Sequence, residues 1–327
     1  MGESDRSAMT DQSLRPVAGR GSGVRAVPLR ERVVANLGML MMVFAWGAFF
    51  PLIERVLATW DVYSVTVARQ ALGALLLAIG VFAQGHPMPG IRRLPWVRVM
   101  LLGGIGVALG SFLTSLAVAF SSGLASAIIS TTNPVTSALA AALFYREPLG
   151  RRMIGGTIVS VVGGLISVVA DRSAGGAHFQ GGEVFIVIAN VAWTWMSMAA
   201  QRWLSGYSQL QITALTIGAG ALWLILLLPV VALTGAVALR ADLDPVNLEI
   251  LAFSGAVPIA FANFCWHYGV SRTGIVVAAM YNNLLPAVAV AVTVWLGGSF
   301  GWGQLAGGAV ILAGVLGTQL LGLRRRP

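Results

Sequence analysis

"FAWGAFFPLIERVL", residues 44–57, and "VAWTWMSMAAQRWL", residues 191–204, carry the reading of the fold. Set 147 residues apart, they align Ala45-Trp46 with Ala192-Trp193, Arg55 with Arg202, and Leu57 with Leu204. At the same offset Gly73-Ala74-Leu75 falls on Gly220-Ala221-Leu222. Further along, at an offset of 152, Pro134 meets Pro286 and Gly155-Gly156 meets Gly307-Gly308, so a five-residue insertion within 235–247 reconciles the two registers. Self-similarity at a fixed period means that one structural unit occurs twice.

Composition says what the unit is made of. The chain is 57% hydrophobic and 10% charged, against about 25% charged in a soluble domain. Apolar runs of roughly 20 residues, each long enough to cross a bilayer, occur at 33–52, 62–82, 96–118, 123–144, 151–170, 183–203, 209–234, 248–270, 274–296 and 302–322. The expected fold is an all-α membrane protein of ten transmembrane helices. Many of the 40 glycines fall inside these runs, where small residues let helix backbones approach closely. The lone Cys265 excludes an intramolecular disulfide and reads as a packing residue.

Charge sets the orientation. The chain has no lysine, and 17 of its 21 basic residues, all arginine, fall on the side of the N-terminus. The opposite side holds Arg55, Arg172 and Arg240, and Arg69 lies within the second run. The positive-inside rule therefore places both termini in the cytoplasm and requires an even number of spans. A basic balance with no aromatic-basic recognition module gives no support to nucleic-acid binding. The expected organisation is a disordered cytoplasmic tail at 1–32, a first five-helix repeat at 33–170, a periplasmic linker at 171–182, a second repeat at 183–322 and a basic cytoplasmic end at 323–327. Five spans is an odd number, so the second copy enters the membrane from the other side. Inverted repeats around a central site are the architecture of secondary transporters working by alternating access.

Candidate site residues follow from polar and kinking positions inside the runs. Pro134 in "STTNP" and Pro286 in "NNLLP" lie at mid-span in both repeats and withdraw the backbone donor from the carbonyls of Ser130 and Asn282. Irregular backbone at that depth is tolerated where it is buried in protein or faces a watery cavity. One reading makes the two kinks a substrate site, with Asn133, Asn282 and Asn283 as hydrogen-bonding groups; the other makes them shape the bundle only. Ser126, Ser130, Asn133 and Ser137 share one helical face, as do Asn190, Thr194, Ser197 and Gln201, and each stripe suits a cavity wall or a helix-helix interface. Asn263 and His267 lie one turn apart; the histidine is a candidate site group or a neutral, hydrogen-bonded core residue. Arg69 either meets a substrate carboxylate, snorkels outward or pairs with Asp61. Trp46, Phe50, Trp193 and Tyr281 sit inside spans rather than in an interfacial belt, and either line a cavity or pack. The predicted substrate-binding set is therefore Trp46, Phe50, Ser130, Asn133, Asn190, Trp193, Asn263, His267, Tyr281 and Asn282, with Pro134 and Pro286 as kinks for gating.

The duplicated "AW", Arg69, the fourth-span pattern "NPVTSALAAALFYREPL" and the paired "GGTIVSVVGGLI" and "LAGGAVILAGVLG" resemble the drug/metabolite transporter superfamily, among ten-span exporters with inverted five-span repeats, including the aromatic-amino-acid exporter type. The resemblance covers nearly all of 33–322 and implies export from the cytoplasm. One departure is that Ser299 stands where the family pattern has a second acid matching Glu147.

No Asp or Glu lies near the middle of any run, which disfavours a carboxylate proton relay. No HExxH or P-loop pattern is present, so the chain reads as a non-enzyme with no cofactor and no metal. The expected function is export of small amphipathic metabolites, chiefly amino acids with aromatic or other apolar side chains, across a bacterial inner membrane. Its partners are a small-molecule substrate and the lipid bilayer, and a monomer is plausible. The alternatives are a carrier of anionic or nucleotide-linked metabolites, or a membrane enzyme acting on lipid-linked substrates.

Overall fold

A computed structural model describes residues 28–85, 93–145 and 181–299, with isolated positions between 155 and 166 and between 301 and 313. Most of the expected spans at 151–170 and 302–322, the expected linker up to residue 180, the tail to residue 27, Glu147 and the basic C-terminus lie outside the described residues. Among those described, every regular element is helical: α1 Leu29–Leu57, α2 Val62–Ala83, α3 Trp96–Phe120, α4 Gly123–Ser130, α5 Asn133–Tyr145, α6 Gly182–Trp203, α7 Gln209–Thr234, α8 Pro245–Thr273, α9 Ile275–Tyr281 and α10 Leu285–Trp295. Among the described residues seven spans are long and apolar enough to cross a membrane, and α4 with α5, bent by 48°, counts as an eighth if the bent pair is one span. α1 begins at Leu29, inside the expected tail, because Leu29–Arg32 continues the helix of the first span.

Local chemistry fixes where these helices start. Asp61 caps α2 by accepting from Ser64 N at 2.8 Å, Ser122 caps α4 from Ala125 N at 3.1 Å, and Asp244 caps α8 with Pro245 in its first turn. α7 opens on a reciprocal capping box between Ser208 and Gln211. Each such bond satisfies an N–H that the first helical turn leaves without an internal partner.

The duplication is visible element by element. α2 and α7 start at the 147-residue offset, and α4 and α9 at the 152-residue offset. α3 and α8 each contain an eight-residue π-helical stretch, Leu102–Leu109 and Gly255–Ala262. The contacts also give direction. Met196 of α6 meets Gly106 of α3, and Gly182 meets Ala117 and Ser121, so α6 runs antiparallel to α3. Arg272 near the end of α8 pairs with Glu31 near the start of α1, and Gln201 of α6 reaches the carbonyl of His267. The leading helices of the two repeats, α1 and α6, therefore run in opposite directions.

The two repeats are interlocked rather than side by side. Among the described residues the most extensive helix packing is between repeats: α2 with α7 and α8, α3 with α6 and α7, α1 with α8 and α10, and α5 with α6. Two glycine seams make this possible, and they are symmetry mates. A Cβ on Gly73 would overlap Ile259 of α8 and come within 3.0 Å of the Gly255 carbonyl, while one on Gly220 would overlap Val107 of α3 and come within 3.1 Å of the Gly103 carbonyl. The repeated Gly-Ala-Leu of the sequence is thus the point where each second helix seats on the other repeat's third helix.

Candidate functional site

The broken fourth helices come first, because their polar residues answer for their own backbone. α4 ends at Ser130, and Thr131 and Thr132 turn back through their N–H groups to Ile128 O at 3.0 Å and Ile129 O at 2.9 Å. Their hydroxyls donate to the same two carbonyls at 2.6 Å and 2.7 Å. α5 then restarts at Asn133, with Pro134 in its first turn, where the missing N–H costs little. In the second repeat Asn282–Leu284 forms a 3-10 turn before Pro286, and Leu285 N–H donates to the Asn282 carbonyl. That corrects one expectation: the tighter turn finds a new donor for Asn282.

The two breaks border a central cavity. About 110 Å³ of it is open to the centres of water-sized molecules, several times the roughly 10–15 Å³ a single water requires. α1 contributes Trp46, Phe49 and Phe50; α6 contributes Ile186, Ala189, Asn190 and Trp193. Ser130 and Asn133 come from the first break, Asn282 and Leu285 from the second, and Pro258, Ile259 and Asn263 from the π-helical stretch of α8 and its end. α2 adds Arg69 and Gln70, and α3 adds Gly110, Ser111 and Thr114 just past its own π-helical stretch. Such stretches carry one extra residue per turn and are often found at functional sites. Both repeats therefore supply the wall.

Eight predicted residues, Trp46, Phe50, Ser130, Asn133, Asn190, Trp193, Asn263 and Asn282, line this cavity. Repeat mates Trp46 and Trp193 meet edge to face, with ring centroids 5.9 Å apart at 83°. Trp46 Nε1 donates to the Pro258 carbonyl at 3.1 Å, which Asn263 Nδ2 also reaches at 3.1 Å. The polar stripes divide their work. Asn133 Oδ1 accepts from Thr194 Oγ1 and Ser137 Oγ, both at 3.3 Å, and Ser197 accepts from Trp266 Nε1 at 2.9 Å, so the far ends of both stripes glue helices together.

Two predicted site residues are not on the wall. His267 is fully buried behind Trp193, with ring centroids 6.5 Å apart, and its ring nitrogens have no hydrogen-bond partner among the described residues. One helical turn from Asn263 was enough to carry it out of the cavity. Tyr281 points toward α1 instead, where its hydroxyl donates to Asn36 Oδ1 at 2.6 Å. Pro134 and Pro286 stand at the breaks without lining the cavity.

For Arg69 two of the three readings of the sequence are excluded. It neither snorkels nor pairs with Asp61, whose carboxylate caps α2 and accepts from Arg240 N at 2.7 Å. Its side chain is 4% exposed, lines the cavity and sits with Cζ 4.1 Å over the Phe49 ring. Nε and Nη1 lack hydrogen-bond partners among the described residues. Beside it Gln70 donates through Nε2 to Ser111 Oγ, and its Oε1 has no partner among the described residues. The sequence signal for this corner was present in "ARQALGA": the one arginine more than three residues from either end of its run, followed directly by an amide. Ser111 and Thr114, among many small hydroxyl residues, carried none.

An all-helical membrane protein built of two interlocked repeats around one polar and aromatic cavity is a transporter in architecture. The model of the EamA-like transporter family matches residues 33–169 and again 180–320, and the chain belongs to that family, within the drug/metabolite transporter superfamily. A probable terminal-alkyne amino-acid exporter from Streptantibioticus cattleyicolor is 29% identical over 294 residues, covering 88% of this chain and 94% of its own. The uncharacterized transporter YdfC of Bacillus subtilis is 25% identical over 293 residues, covering 89% and 92%. One solved crystal structure shares the fold with a TM-score of 0.66 at 18% identity, over 90% of this chain and 100% of its own.

Proposed function

We propose that this transporter exports small amphipathic metabolites, chiefly amino acids with aromatic or other apolar side chains, across a bacterial inner membrane by alternating access. Ten spans with both termini in the cytoplasm belong to the same proposal. The observation that carries it is the meeting in one cavity of Trp46, Phe49, Phe50 and Trp193 with Asn133, Asn190, Asn263 and Asn282, drawn from both repeats. Aromatic faces hold an apolar side chain, and amides, which can turn either a donor or an acceptor toward the solute, hold its polar end. The amino-acid exporter relative from Streptantibioticus cattleyicolor supports the solute class.

A carrier for nucleotide-linked or multiply charged anions calls for several basic groups in the cavity, and Arg69 is the one on this wall. The test is uptake of radiolabelled L-phenylalanine, L-tryptophan and L-leucine into proteoliposomes holding the full chain. Saturable uptake of at least one is expected, and its absence for all three contradicts the substrate assignment.

A further inference from the structure

We propose that the Arg69 guanidinium is the receptor for a solute carboxylate, which makes the preferred cargo amphipathic carboxylates rather than the matching amides or amines. The proposal deepens the amino-acid reading above and rests on the same cavity.

The argument starts from cost. A guanidinium inside a membrane is retained at the expense of stability unless something pairs it. Here no acidic side chain lines the cavity, and Arg69 takes part in no ion pair among the described residues. The acid nearest in the same helix, Asp61, is engaged at the end of α2. Cζ sits 4.1 Å over the Phe49 ring, an attraction to the ring's π face that supplies no lone-pair acceptor for the N–H donors. Two of those nitrogens have no partner among the described residues. A planar donor fork is the geometry that carboxylates bind in two-point fashion.

The rest of the wall fits the other end of such a solute. Gln70 Oε1, Asn263 Oδ1 and Asn282 Oδ1 are acceptors without partners among the described residues. All three are neutral, so they can receive an ammonium by hydrogen bonding, while the single formal charge of the cavity selects the carboxylate. Trp46 and Trp193 line the same cavity and supply its apolar surface.

The test is calorimetric titration of the purified full chain in detergent with phenylacetate, L-phenylalanine and L-phenylalaninamide. The wild type is expected to bind both carboxylates about ten-fold or more tightly than the amide, as a charge-assisted pair implies. In Arg69→Gln that preference falls to within about two-fold, and Arg69→Lys, which keeps the charge but not the fork, retains part of it. A purely structural Arg69 would lower affinity for all three ligands alike and leave the ratio untouched. The proposal is overturned if the wild type binds the amide as well as the acid, if it binds neither carboxylate, or if Arg69→Gln keeps the wild-type ratio. The wild-type comparison stands even if the variant does not fold. Proteoliposome uptake separates the two readings: equal transport of L-phenylalanine and its amide defeats the carboxylate receptor and spares the transporter assignment. Carboxylate-selective binding without uptake does the reverse.

Discussion

Arg69 and His267 are both buried in the bundle with nitrogens that lack partners among the described residues, yet only the first faces the cavity. The cation-π contact with Phe49 is worth about 0.5–2 kcal/mol, against about 2.5–3.5 kcal/mol for placing an arginine at a helix centre in the membrane. The ring does not cover the cost, so Arg69→Met is expected to raise the melting temperature of the purified protein while weakening carboxylate binding. A lower melting temperature would show instead that the charge is paired. For His267 the expectation is the opposite in function: His267→Leu removes two unpartnered buried nitrogens, gains about 1 kcal/mol of stability and leaves uptake kinetics within about two-fold of wild type. A KM shifted much further would put the imidazole back in the solute path. The sequence placed both residues inside spans, and His267 on the face of Asn263, but a helical wheel says which residues lie together and not what stands opposite.

The elements show what the polar run around Pro134 is for. Its two threonines close the carbonyls left at the end of α4, while Ser130 and Asn133 join the wall and Asn133 also receives Thr194. The paired prolines were legible from the repeat, whereas the π-helical stretches in α3 and α8 were not, because no residue type marks an extra residue in a helical turn. The glycine seams were half legible: the repeated Gly-Ala-Leu was plain, but its partner helix was not. Overpacking a close seam costs about 1–3 kcal/mol. Gly73→Val and Gly220→Val are therefore each expected to lower thermal stability in detergent by a similar amount, while Gly80→Val, whose Cβ would have only Leu210 at 3.9 Å nearby, leaves it nearly unchanged. Unequal effects at the two seam positions would contradict their equivalence.

At the scale of the whole molecule, interlocking changes the idea of two sequence halves rocking against each other. α1 is clasped to the second repeat at both ends. At one end Arg272 pairs with Glu31 at 3.3 Å and Tyr281 bonds Asn36. At the other Trp60 Nε1 donates to Asp242 O at 2.6 Å and Asn247 Nδ2 to Thr59 Oγ1 at 3.0 Å. The insertion that disturbed the repeat register thus earns a place as a clasp over the α1-α2 turn. Moving bodies must then mix helices from both repeats, and alternating access requires one clasp to open at a time. With Cys265 buried, Glu31→Cys with Arg272→Cys bridged by a short bifunctional reagent that couples through reducible disulfides is expected to stop uptake, with recovery on reduction. Full-rate uptake by the bridged protein would exclude opening at that end. The spans among the described residues were legible because bilayer thickness fixes helix length, and the duplication because the sequence repeats; which helices pair was not, since lipid-facing and helix-facing apolar residues look alike in sequence.

The central claim is that one cavity between the repeats carries the solute, and counterflow uptake of L-phenylalanine into proteoliposomes tests it most directly. Wild type is predicted to show saturable uptake, with Trp193→Ala and Asn133→Ala each raising KM by about ten-fold, the loss of roughly 1.4 kcal/mol of binding. Saturable uptake that neither substitution alters would place the pathway elsewhere in the molecule.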